Sequence, residues 1–139
     1  MLTIRREHSQ EVIAHAMEEA ERSDGPRECV GLIVCHVTTR QCRVIRLTNS
    51  HPDPANHFEV REREIRGVYR QLMREREYID VIYHSHLRVA AVPSQGDVDN
   101  ADLEDAHYLI VATSGRGRAL RSWRIQAGEA REEPVHIEA

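Results

Sequence analysis

Ile79 to Tyr83 is a nearly continuous apolar run that enters His84-Ser85-His86 with no turn signal between. A run of that length, broken only by Asp80, predicts a strand covered on both faces, at the centre of a sheet flanked by helices. Successive strand side chains alternate faces, so His84 and His86 project from the same one. Two imidazoles thus end a strand anchored in the core. Nine histidines in 139 residues make imidazole or metal chemistry the first class to consider.

The rest of the chain fits around that strand. Residues 9–22 predict a helix with Ser9 as cap and Val12, Ile13, Ala16, Met17 and Ala20 as its apolar stripe. Cys29 to Cys35 and Cys42 to Leu47 read as two strands about a turn at residues 38–40. Residues 49–56, with Pro52 and Pro54, read as a loop, and Phe58 as the start of the next packed segment. Ile65, Val68, Tyr69, Leu72 and Met73 form the apolar stripe of a helix over residues 61–76. A loop over 87–93 and a short helix over 95–104 follow. Strands are expected at 107–112 and 119–125 about a turn at Ser114-Gly115-Arg116-Gly117, with one edge strand at 135–137. Hairpins mixed with crossover helices predict an α/β fold, one domain over residues 1–139, with a mixed β-sheet flanked by helices on both faces.

Composition excludes several alternatives. All 19 basic residues are arginine. Without lysine there is no Schiff-base chemistry, no P-loop lysine and no side-chain amine for isopeptide attachment. The net charge of −4, with arginines interleaved among acids as in Arg61-Glu62-Arg63-Glu64, argues against nucleic acid as a partner. No run reaches the roughly 18 apolar residues of a membrane span, and the N-terminus has no signal-peptide core. Three cysteines, an odd number, point to free thiols and a cytoplasmic protein; a Cys35–Cys42 bridge across the hairpin is the alternative. The pieces of a zinc deaminase and the His-Glu-x-x-His of a zincin are both absent.

Beyond His86 come Ser94 and, three residues later, Asp97. Two histidines and a carboxylate make three zinc ligands of N and O type and leave a fourth position open, as catalytic sites do. Taken singly, each residue has a plainer reading. Paired histidines are often structural, Ser94-x-x-Asp97 is also a capping box, and Glu28 is also a surface carboxylate.

The order His84-Ser85-His86, seven residues, Ser94, two residues, Asp97 resembles the JAMM (MPN+, Mov34/MPN/PAD-1) zinc metalloprotease motif. Glu28, opening Glu28-Cys29-Val30-Gly31-Leu32, stands where that family carries its upstream glutamate, and Asn49 and Phe58 match further family positions. Leu87 departs from the proline that often follows the second histidine. The resemblance, which runs from Glu28 to Ala112, implies a single-domain MPN (cytidine-deaminase-like) fold. It implies Zn2+ on His84, His86 and Asp97 with water as fourth ligand. It gives Glu28 the role of general base and Ser94 that of a hydrogen-bond donor to the oxyanion or the water.

Small free-standing bacterial members are similar to hydrolases that cut after the Gly-Gly tail of a ubiquitin-like sulfur-carrier protein of the ThiS/MoaD/CysO type. Such a tail can bind by adding a strand at a sheet edge. Arg88 is a candidate partner for a substrate carboxylate or a plain surface arginine, and His51 and His57 are cleft-facing surface histidines or substrate contacts. Cys29 is expected to pack in the core. A non-catalytic, metal-stabilised MPN interaction module is the alternative function.

Overall fold

A computed structural model describes residues 1–114 and 119–139. The elements in order are β1 (Leu2–Arg5), α1 (Arg6–Ala20), β2 (Val30–His36), β3 (Cys42–Leu47), α2 (Glu62–Glu75) and β4 (Glu77–His86). After them come α3 (Gln95–Asp99), β5 (His107–Ala112), β6 (Ala119–Gln126), β7 (Glu129–Glu133) and β8 (Val135–Glu138). Six strands form one sheet in the order β3-β2-β4-β5-β6-β7. Its pairs are antiparallel except β4 and β5, which run side by side in the same direction.

The apolar run of β4 does lie inside this sheet, with helices on both faces as expected. Odd-numbered residues Val81 and Tyr83, with Ile33, Leu109 and Val111, face α1 and bury its Val12 and Ala16. Even-numbered Ile82 faces the other way, with Leu32, Val34 and Leu72 of α2. Strand parity therefore puts His84 and His86 on the α2 side.

Tyr83 sits deep in the α1-facing core, and its ring lies over Gly31, its partner across β2 and β4. A Cβ on Gly31 would meet Tyr83 Cζ and the hydroxyl oxygen at 2.3 Å each. The Tyr83 hydroxyl is hydrogen-bonded to Nδ1 of His15 at 2.7 Å. Burial pushes the Tyr83 hydroxyl's pKa up, so it keeps its proton, and holds His15 down to about 4, so the imidazole stays neutral.

Several local expectations change. Ser9 is not a helix cap: α1 starts at Arg6, directly after β1, and the Ser9 hydroxyl donates to the Arg6 carbonyl one turn back. The stripe of α2 is only partly covered. Leu72 is buried, Ile65 and Tyr69 are half open, and Met73 is 81% exposed. The helix rests on the sheet by one edge, leaving an apolar cavity of about 190 Å3 beneath it. The helix after Ser94 ends at Asp99, where the Asn100 amide caps back on the Gly96 carbonyl.

Two strands were not foreseen, β1 and β7. β7 returns on β6 through a turn with positive φ at both Ala127 (51°) and Gly128 (76°), and β1 pairs with β8 in parallel. The turn expected at 114–117 falls largely outside the described residues. Cys35 and Cys42, directly paired across β2 and β3, form a disulfide, which corrects the expectation of three free thiols and removes that support for a cytoplasmic location. Cys29 is free and buried, and burial pushes its thiol up to about 12. No helix among the described residues is long and apolar enough to cross a membrane.

Candidate active site

The site is built where β2 begins and β4 ends. Ser85, between the two histidines, faces the α1 side and is fully buried. Its hydroxyl accepts the Cys29 amide at 2.7 Å, and its own amide donates to the Cys29 carbonyl at 3.2 Å. This clasp holds Glu28 beside the histidines. Two further bonds fix the Glu28 backbone. Its amide donates to the Pro54 carbonyl at 2.7 Å, and its carbonyl accepts from Asn49 Nδ2 at 3.0 Å.

Asn49 is itself buried and staples the loop after β3. Nδ2 also donates to the His57 carbonyl, and Oδ1 accepts the amides of His51 and Glu59. Asn49 therefore acts on Glu28 and on the cleft wall through backbone alone.

Three donor atoms then converge. His84 Nε2, His86 Nε2 and Asp97 Oδ2 lie 3.2 Å from one another on every side of a triangle. Asp97 is aimed by the N-terminus of α3. The Ser94 hydroxyl accepts the Asp97 amide at 3.1 Å, while the Ser94 amide donates to Asp97 Oδ2 at 2.9 Å. The capping box is formed, and it aims Asp97 Oδ2 at the two imidazoles. His86 Nδ1–H donates to the Ala90 carbonyl at 2.8 Å, which fixes the tautomer and turns Nε2 toward the triangle. The Phe58 ring lies 4.6 Å from that of His84 and closes one side.

The electrostatics suit a cation. Burial works against charge on Asp97, yet hydrogen bonds from His84 and His86 hold its carboxyl well below the usual range. Burial lowers His84, while Asp97 raises His86 against its own burial. With Nδ1–H given to Ala90, neutral His86 presents a lone pair to the lone pairs of Asp97. Such a contact requires a positive centre, either ring protons or one cation shared by all three. A tetrahedral ion with bonds of about 2.0–2.1 Å needs its ligands about 3.3 Å apart, which the triangle meets. Among the described residues these three are the group that can hold a metal ion.

Glu28 lies on the wall of the same cleft, about 960 Å3 in volume, which also takes in His86, Ser94 and Asp97. Its residue is 6% exposed, and burial pushes its carboxyl up to about 8, His86 opposing and Asp97 reinforcing. All five residues singled out in the sequence thus gather at one place. Arg88, exposed, and His51 and His57, with ring centroids 4.9 Å apart, line the cleft as well.

Leu87 opens the turn that the His86–Ala90 bond closes. Trp123 Nε1–H pins the next residue by donating to the Ala91 carbonyl at 3.0 Å. Ser85 and the Ala90 and Ala91 carbonyls were not foreseen. A serine between two histidines carries no sign of its partner 56 positions away, and a carbonyl carries no residue signal at all.

Comparison with known proteins gives the family context. The family model described as prokaryotic homologs of the JAB domain matches residues 6–126. The CysO-cysteine peptidases of Mycobacterium bovis and Mycobacterium tuberculosis are each 36% identical over 139 residues, covering 99% of this chain and 91% of theirs. A probable TtuB-protein conjugate cleaving protease of Thermus thermophilus is 33% identical over 106 residues, 76% of this chain and 66% of that one. Among solved structures, a Desulfitobacterium hafniense protein superposes with a TM-score of 0.80 at 24% identity, covering 99% of this chain and 93% of that one. A JAB1/MPN domain protein of Archaeoglobus fulgidus superposes with a TM-score of 0.55 at 14% identity, covering 99% and 98%.

Proposed function

Because this chain belongs to the family of prokaryotic homologs of the JAB domain, we propose that it is a zinc peptidase acting on a ubiquitin-like sulfur-carrier protein. It hydrolyses the bond that follows the carrier's C-terminal Gly-Gly. The observation that carries the reading is the 3.2 Å triangle of His84, His86 and Asp97 with a buried carboxylate, Glu28, on the wall of the same cleft. The relatives named for CysO-cysteine and for TtuB conjugates support the substrate class.

In this reading His84 Nε2, His86 Nε2 and Asp97 Oδ2 hold the zinc. When bound, zinc supplies a Lewis acid and a water acidified to a pKa of about 7. A nearby cation also favours the ionised form of Glu28, whose burial otherwise keeps it protonated near neutral pH.

Ionised Glu28 takes a proton from the attacking water and returns it to the leaving nitrogen. A positioned carboxylate of this kind contributes about 10²–10⁴ in rate. The Ser94 hydroxyl accepts the Asp97 amide through its oxygen and so keeps its own proton to donate. Directed at the developing oxyanion, that proton adds about 10²–10³. The carrier's extended tail binds by adding a strand beside a sheet edge.

The test joins metal and turnover. The purified protein is expected to carry one zinc and to release cysteine from a carrier ending in Gly-Gly-Cys. Glu28→Gln should keep the zinc and lose about 10²–10⁴ in kcat. Full activity in that variant removes Glu28 as the base. Stoichiometric zinc with no hydrolysis of any carrier or peptide favours the non-catalytic module instead.

A further inference from the structure

The turn after His86 is held at both ends of its far side. The His86 ring is bonded to the Ala90 carbonyl, and the Trp123 indole to the Ala91 carbonyl. Arg88 is at the middle of this clipped turn, exposed and on the cleft lining with Glu28, Ser94 and Asp97. Among the described residues it is the one arginine on that lining. Its Cα lies no more than about 7.6 Å from that of His86, two peptide units away. The long guanidinium arm therefore starts beside the triangle, on a turn that does not need to move.

We infer that Arg88 selects substrates whose leaving group is a single amino acid with a free α-carboxylate, over substrates joined through a lysine side chain. This rests on the peptidase reading above and deepens it.

The chemistry of the leaving group carries the distinction. A leaving α-amine has its own carboxylate carbon two bonds away, about 2.5 Å from the nitrogen that departs. That anion must lie close to the acid that protonates the nitrogen, hence beside Glu28 and the turn. A carboxylate buried there without a partner is strongly disfavoured. A guanidinium offers a two-pronged, charge-assisted match. The Nε of a lysine in a protein has only methylenes behind it, so an isopeptide substrate gives Arg88 nothing to hold and leaves its charge facing apolar chain. The rest of the cleft lining offers no second guanidinium: Glu59 and Asp102 are acidic, and beyond the site residues His51 and His57 are the other ionisable side chains there.

The experiment compares two carriers that differ by one group: Gly-Gly-Cys with a free carboxylate, and Gly-Gly-Cys amide. The wild type is expected to favour the acid at least tenfold in kcat/KM. In Arg88→Ala the ratio of acid to amide should fall to about one. Arg88→Lys, which keeps the charge but not the fork, should lie between. The same ratios are measured in Kd with Glu28→Gln, where turnover is suppressed.

Equal use of acid and amide by the wild type overturns the inference, as does an acid preference that survives in Arg88→Ala. A binding preference that depends on Arg88, in a wild type that hydrolyses neither carrier, sinks the peptidase reading and leaves the carboxylate site standing.

Discussion

Gly31→Ala gives a sharp test of how this fold is packed. The added methyl would sit 2.3 Å from Tyr83 Cζ and from its hydroxyl oxygen, and 2.5 Å from Cε1. Carbon atoms pack at about 3.5–4.0 Å, so the overlap exceeds 1 Å at three atoms. Neither side yields easily. Gly31 is held between β3 and β4 by ladder bonds on both edges of β2. The Tyr83 ring is fully buried and tied to His15.

Overpacking of this kind costs about 1–3 kcal/mol or more. If the ring swings away, the buried Tyr83–His15 bond is lost too, for about 1–3 kcal/mol. The sum, about 2–6 kcal/mol, is a large part of the roughly 5–15 kcal/mol that holds a domain folded. Urea unfolding followed by circular dichroism should show a drop of that size. In a Tyr83→Leu background, which vacates the space, the same substitution should cost at least about 2 kcal/mol less. A loss below about 1 kcal/mol, or equal losses in both backgrounds, refutes the steric argument.

Three further outcomes are expected. Ser85→Ala leaves the Cys29 amide without its buried acceptor; it should lower stability by about 1–3 kcal/mol and reduce kcat while zinc content is kept, because Glu28 loses its clasp. Unchanged kcat would show that the clasp does not position Glu28. Reducing the Cys35–Cys42 bond, seven residues apart in sequence, should cost about 2.5 kcal/mol in urea unfolding with turnover unchanged; an unshifted midpoint would mean that the bond contributes nothing.

The third concerns acid. His15 is neutral in the fold down to about pH 4 but titrates near 6.5 when unfolded. The unfolded chain thus binds the extra proton between those values, and stability falls as pH drops from about 6.5 to 4, by at most roughly 3 kcal/mol. His15→Gln should flatten that part of the profile, and an unaltered slope would assign the acid loss elsewhere.

How much of this was legible in the sequence follows the reach of each signal. β4 and β5 read clearly because an apolar run bounded by polar residues names a buried strand without reference to any partner. The five candidate residues could be singled out because their order resembles a known motif, and the fold brings them to one cleft. What the sequence hid was non-local or backbone-borne. β7, Glu129-Ala-Arg-Glu-Glu, is almost wholly polar and is a strand only because β6 pairs with it across a two-residue turn. That turn has positive φ at Ala127 and Gly128, where an Asn-Gly pair would have announced it. β1 becomes a strand only through β8 at the far end of the chain. The partial exposure of α2 depends on how the helix sits on the sheet, which its periodicity does not encode.

The direction of β4 and β5 has a consequence for where chemistry can arise on this sheet. Two strands that run the same way cannot be joined by a tight turn; the chain must travel back the full length of the sheet before the second begins. Here that return is residues 87–106, and it sets out from His86. The detour is therefore obligatory, and it supplies the clipped turn, the serine and the third donor. Had β5 run antiparallel to β4, a short hairpin would have sufficed, and two histidines would have stood at a strand end with no chain passing over them. Shortening this connection should fail at the level of topology before it fails at the level of catalysis, whereas the β6–β7 hairpin has no such return path to keep.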